Sequence, residues 1–237
     1  MPGLGTIINA AAIVIGGLLG LLFGRLIKEN VQDSLTKVCG VSTLFIGITG
    51  ALEGMLKLEG NNIVSTAGLL TVGCLALGTL AGELLGIEAA FEKFGVWLKE
   101  KTGNAKDKGF INAFVTASLT VCIGAMAIVG AIEDGLTGDY SVLATKAVLD
   151  LIIILVMTCA MGKGCLFSAI PVAVLQGSVT ALSGLLKPVM TEAALGNLSM
   201  IGSVLIFCVG VNLVWGKKLR VANMLPAVVL AVIFAFL

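Results

Sequence analysis

Long apolar runs alternate along this chain with narrow windows of charge. An α-helix needs about 20 apolar residues to cross a hydrocarbon core ~30 Å thick. The pattern predicts spans at about residues 4–24, 38–56, 65–87, 109–132, 141–162, 165–186 and 198–215. A last run, 221–237, is short and carries Pro226. It makes an eighth span if it crosses fully, and otherwise the count is seven. No series of alternating strands suggests a β-barrel. The expected fold is all-α: a polytopic transmembrane helical bundle, one integral-membrane domain over residues 1–237.

The polar windows add detail. Residues 88–108 form the longest of them, and Ile87, Phe91, Phe94 and Leu98 share one face there with Trp97 beside them. That spacing predicts an amphipathic helix in a cytoplasmic loop, either lying at the membrane surface or packed on the protein as a solvated helix. Spans 1 and 3 carry glycine ladders, Gly16-Gly20-Gly24 and Gly78-Gly82-Gly86. Such spacing lets helix backbones approach closely, within one chain or between copies, and leaves a homo-oligomer open. Span 6 contains Pro171 and Gly177. Proline removes a backbone donor and glycine tolerates unusual angles, so a break in the helix is expected between them.

Weak internal repeats accompany these features. Gly162-Lys163 and Gly216-Lys217 each precede a proline-led run, I-P-V-A-V-L at 170–175 and L-P-A-V-V-L at 225–230. Recurring helical hairpins are expected, with spans 1–4 and 5–8 as two related sets. Transporters are often built from such repeats, with the site between them near the midplane.

Composition agrees with the pattern. The chain is 58% hydrophobic and 12% charged, against about 25% charged in soluble domains. Histidine is absent, which removes Ser/His and Cys/His nucleophile pairs and histidine metal sites. The 6 cysteines stand singly in apolar runs and read as small buried hydrophobes. The first run is long and lacks a basic leader, so it reads as a span and not a signal peptide.

Charge placement sets orientation. The loops after spans 1, 3, 5 and 7 hold Arg25, Lys28 and Lys37, then Lys93, Lys99, Lys101, Lys106 and Lys108, then Lys163, then Lys217, Lys218 and Arg220. The loops after spans 2, 4 and 6 hold only Lys57 and Lys187. Lysine and arginine collect on the cytoplasmic side, so the N-terminus is expected outside.

Candidate chemistry centres on residues 130–155. Glu133, Asp134 and Asp139 fall in a glycine-rich stretch read as an outer turn. These acids are either a solvated loop or a cation-attracting mouth. Lys146 and Asp150 follow within an apolar run, four apart and so on one helix face. Asp150 lies about 14 Å past Ser141, near the middle of a ~30 Å core, and Gln176 reaches a similar depth from the other side. An ionisable group at that depth survives by facing a partner, water or an ion. The pair serves packing alone, or Asp150 is the central ligand of a path lined by Gln176, Asn9 and Thr49, with Lys146 as a competing counter-charge.

Several stretches resemble the YqgA/YdfK-like family of bacterial inner-membrane proteins, a domain-of-unknown-function family. They are I-I-N-A-A-A-I-V-I-G-G-L-L-G at 7–20, A-M-A-I-V-G-A-I-E-D-G-L-T-G-D-Y-S at 125–141, K-A-V-L-D at 146–150 and F-S-A-I-P-V-A-V-L-Q-G at 167–177. In that pattern the residue before Asp134 is often glutamine, so Glu133 departs from it. The resemblance covers essentially the whole chain and implies a multi-pass protein of the bacterial plasma membrane, with no established activity. The residues themselves suggest transport of a small solute or ion, a cation above all, or else a scaffold or regulatory role. No cofactor, nucleic-acid partner or catalytic role is expected; only Asp150 is clearly intramembrane, and aspartyl proteolysis would need two such acids.

Overall fold

A computed structural model describes residues 2–60 and 62–236. Asn61 and the side chain of Glu59, both in the loop expected after the second span, lie outside the described residues. The helices, in chain order, are α1 (Leu4–Gly24), α2 (Glu29–Met55), α3 (Gly68–Leu85), α4 (Ile87–Lys101), α5 (Phe110–Cys122), α6 (Ala125–Thr137), α7 (Ser141–Met161), α8 (Ala169–Ala181), α9 (Ser183–Leu186), α10 (Glu192–Trp215) and α11 (Pro226–Ile233). A small antiparallel hairpin, β1 (Leu56–Glu59) and β2 (Asn62–Ser65), stands where a plain loop was expected.

Among the described residues six helical segments are long and apolar enough to cross a membrane, and α5 with α6 makes a seventh if that bent pair is one span. The fold is therefore the expected helical membrane bundle. Its large apolar side chains point outward freely, Leu69 being 89% and Leu84 80% exposed; lipid contact accounts for that where water would not. The last run is no long helix. It divides into a 3-10 turn at Val221–Met224, the short α11 and a second 3-10 turn at Phe234–Phe236. Pro226 opens α11, where its missing N–H leaves no intrahelical bond unmade.

By its contacts the chain divides into two compact units interleaved along the sequence. The first comprises Met1–Cys39, Phe91–Cys122 and Met126–Lys187. The second comprises Gly40–Ala90, Ile123–Ala125 and Pro188–Leu237. The hairpin likeness has a structural counterpart. α7 ends at Gly162 (φ 90°) and α10 at Gly216 (φ 78°), each followed by a 3-10 turn and then a helix. Positive φ is open to glycine at no steric cost, so both hairpins turn at this residue type.

In the first unit α1 lies along α7. A Cβ added at Gly16 would strike the Leu151 carbonyl, one at Gly20 would come within 2.5 Å of the Leu155 oxygen, and one at Gly24 within 3.2 Å of Cys159. The offset between partners is constant, so the two helices run parallel. α8 runs antiparallel to α1, Gly17 meeting Leu166 and Asn9 meeting Gln176. α4 packs on α5: Leu98 is buried with Phe110 and Phe114, and the Phe94 ring lies 5.8 Å from that of Phe114. Trp97 stays 51% exposed.

In the second unit α2 and α10 are antiparallel, with Gly40 against Val214, Gly47 against Phe207, Gly50 against Ser203 and Gly54 against Met200. Gly78 and Gly82 of α3 close on Ala227 and Asn223. The first ladder is thus filled by α7 and the second is filled at Gly78 and Gly82, while Gly86 has nothing within 4 Å of an added Cβ.

Candidate functional site

Three helices of the first unit bring polar residues to its interior. The buried stripe of α1 runs Gly5, Thr6, Asn9, Ile13, Gly16, Gly17, Gly20, the three-four spacing of one helix face. That of α7 includes Leu143, Lys146, Ala147, Asp150 and Ile154, and that of α8 Ala169, Val172, Gln176 and Val179. Each polar residue continues its helix's apolar stripe, so packing carries it inward.

The expected pair is formed and enclosed. Lys146 Nζ donates to Asp150 Oδ2 at 2.5 Å and to the Val121 carbonyl at 2.9 Å, with the two side chains 8% and 5% exposed. Val121 stands in the last turn of α5, whose carbonyls lack intrahelical partners and carry the negative end of the helix dipole. The chain breaks at once beyond it, and α6 leaves at 62° to α5. A half-helix end, a carboxylate and an ammonium therefore meet at one point. Asn9 Nδ2 donates to Gln176 Oε1 at 3.3 Å, and the Asn9 amide also lies near the Asp150 carboxylate.

Thr49 does not join this group. It belongs to the second unit, is exposed, and its hydroxyl donates to the Phe45 carbonyl one turn back. The helix break at Pro171 and Gly177 is also absent, because α8 runs unbroken from Ala169 to Ala181. Pro171 falls in the first turn, where N–H groups are free in any case. Irregularity flanks α8 instead, as the 3-10 turn Lys163–Ser168 before it and a bend at Leu182 after it.

The acidic mouth is not formed either. α6 continues to Thr137, so Glu133 and Asp134 are helical and point in different directions. Glu133 is half-buried, and Asp134 is fully buried with Oδ2 accepting the Gly5 N–H at 3.0 Å. That bond caps the first turn of α1 from another element. Asp139 alone lies in the exposed turn before α7. Its carboxylate accepts the Ser141 N–H at 2.9 Å, and this bond, with the Ser141 side chain, holds it below the usual carboxylate range.

Sequence reasoning passed over Thr6, Thr180 and the inward face of Asp134. The signal was there for Asp134: Ala127, Ala131 and Asp134 recur at helical spacing, and all are buried. At the far end of the α1–α7 pair a cavity of about 300 Å³ is lined by Gly20, Gly24, Arg25, Thr158, Cys159 and Lys163, among others. Among the described residues no three His, Cys, Asp or Glu side chains gather as a metal cluster.

The family model described as "Protein of unknown function (DUF554)" matches residues 4–236. The uncharacterized protein YqgA of Escherichia coli (strain K12) is 29% identical over 232 residues, 96% of this chain and 94% of that protein. The uncharacterized membrane protein YdfK of Bacillus subtilis (strain 168) is 28% identical over 237 residues, covering 98% and 97%. No solved structure matches. With nearly its whole length matched, the chain belongs to the DUF554 family.

Proposed function

We propose that this protein transports a small solute or ion, a cation in preference, as carrier or channel, with Asp150 as its central ligand. One observation carries the reading: Lys146 already places a cationic group between a carboxylate and a free helix-end carbonyl inside the unit. Discontinuous helices that present backbone carbonyls to cations are a recurring device of membrane carriers. In this reading Lys146 is a tethered counter-cation that yields its oxygens when a mobile cation arrives. Gln176 and Asn9 line the approach. The same enclosure favours a second reading, a purely structural pair in a scaffold or regulatory membrane protein, because Lys146 is held by two protein acceptors, the Asp150 carboxylate and the Val121 carbonyl.

Flux of Na⁺, K⁺, Mg²⁺ and H⁺ into proteoliposomes separates the two. The wild type should move at least one of these ions, Asp150→Asn should abolish that flux, and Lys146→Met should alter its concentration dependence while sparing part of it. Unchanged flux in Asp150→Asn removes Asp150 from the mechanism. A wild type that moves no ion favours the scaffold.

We further propose a bacterial inner-membrane location with the N-terminus outside and α4 in the cytoplasm, supported by the lysine and arginine asymmetry. Single cysteines in a cysteine-free background, treated with an impermeant reagent in intact cells, should label at position 137 and not at 104. The reverse pattern overturns the orientation.

A further inference from the structure

We infer that Asp134 is the carboxylate of a second buried site, one that binds a small monovalent cation between α1, α6 and α8. The inference extends the transport reading without needing it, because binding is measured apart from flux.

Asp134 is fully buried, yet only Oδ2 has a protein partner, and Oδ1 has none. Among the described residues the other buried polar side-chain atoms without a partner are Thr6 Oγ1, Asn9 Oδ1, Thr158 Oγ1, Gln176 Nε2 and Thr180 Oγ1. Thr158 lines the separate cavity at the far end of α7. All the rest fall on three segments: the first turns of α1, the end of α6 and the second half of α8.

Those segments touch pairwise. Gly5 of α1 donates to Asp134 of α6. Asn9 of α1 donates to Gln176 of α8. A Cβ at Gly135 of α6 would come within 2.5 Å of the Thr180 carbonyl of α8. On α1, Thr6 and Asn9 are three apart, and on α8, Gln176 and Thr180 are four apart, so each pair shares a face. The segments that carry the unpartnered atoms thus adjoin one another in a seam from Asp134 toward the Asn9–Gln176 contact. Gly5 and Asn9 are separated by about 6 Å along the helix, so the seam leads from one buried carboxylate to the other.

Buried polar atoms are almost always partnered, and a group of bare ones calls for water or a ligand among them. The acceptors are oxygens: a carboxylate, two hydroxyls and an amide carbonyl. That is a hard-cation set, without sulfur or imidazole. Charge then selects valence. An ionised Asp134 would bring one negative charge, offset by roughly half a positive charge from the α1 N-terminus. Asp150 is already neutralised by Lys146. A monovalent cation leaves only about half a positive charge in the site, whereas a divalent one would leave about one and a half buried.

The test is the unfolding midpoint of the purified full-length protein in detergent. It is titrated with LiCl, NaCl or KCl against N-methyl-D-glucamine chloride at equal ionic strength, since a ligand of the folded state raises the midpoint. At least one alkali cation should raise it with saturation. Asp134→Asn keeps an acceptor for Gly5 N–H, yet it should shift the saturating concentration upward at least tenfold. Thr6→Val and Thr180→Val should each weaken the response in the same sense, and they decide the matter should Asp134→Asn not fold. Thr145→Val, an exposed hydroxyl off the seam, should respond as the wild type does. A wild type indifferent to all three cations overturns the inference, as do seam variants with the wild-type response. Binding that depends on Asp134 in a protein without flux would sink the transport reading and leave this site standing.

Discussion

Lys146 and Asp150 show at the residue scale how a buried charge is kept. Removing one partner leaves the other ionised in a low-dielectric interior, at a cost of about 3–5 kcal/mol. Lys146→Met should therefore lower stability by that order in thermal unfolding, and Lys146→Met with Asp150→Leu should recover most of the loss. Equal stability of the single and double variants would mean that Asp150 takes up a proton once Lys146 is gone. Four of the path residues expected from sequence do sit together: Asn9, Lys146, Asp150 and Gln176. They were legible because charge or a side-chain amide in an apolar run has few ways to be satisfied. Thr49 shows the limit. A helical hydroxyl can close on the carbonyl four residues back, so its presence in a span predicts nothing about facing a site.

Glycine ladders carry the close approach at the scale of elements, and their effect depends on what each glycine faces. Gly20→Ala should force α1 from α7 and destabilise by about 1–3 kcal/mol, as overpacking does. Gly177 has nothing within 4 Å of an added Cβ and lies mid-helix, so Gly177→Ala should be neutral or stabilise by roughly 0.5–1 kcal/mol. Thermal unfolding of the two variants in one detergent checks both, and a destabilised Gly177→Ala would revive the broken helix. Span boundaries were legible within a few residues for α1 and α7, where charge or glycine ends the run. They were not for α2, which starts at Glu29 within the polar window. Polar residues form helix as readily as apolar ones once outside lipid, and hydropathy registers only the lipid-facing part.

Contacts between residues far apart in sequence close the second unit at the scale of the whole molecule. Glu88 N–H donates to Asn223 Oδ1 at 2.7 Å, while Glu88 Oε2 accepts the Ala222 N–H at 3.2 Å and Oε1 meets Lys217 at 2.7 Å. Two helix starts thus cap one another across 135 residues. Asn223→Ala should cost about 1–3 kcal/mol in thermal unfolding, because it strands a buried donor at the start of α4. A loss under a few tenths of a kcal/mol would mean that water replaces the cap.

The sequence by itself determined the class of molecule and the existence of its crossing helices. Length and hydropathy are local properties, and lipid obliges each crossing segment to satisfy its own backbone. It also marked Asp150 and its neighbours, since lone polar groups in apolar runs stand out without any partner being known. Tertiary structure alone decided which helices meet. The first ladder closes on α7, and Gly78 and Gly82 of the second close on α11 and the 3-10 turn before it, because backbone approach depends on the shape of two surfaces, and each chain segment encodes only one of them. It also decided the place of Asp134. Read along the chain, that residue belongs to a polar turn. In the fold it lies at the start of α1, 129 residues away, since only there does the Gly5 N–H meet the inward face of α6.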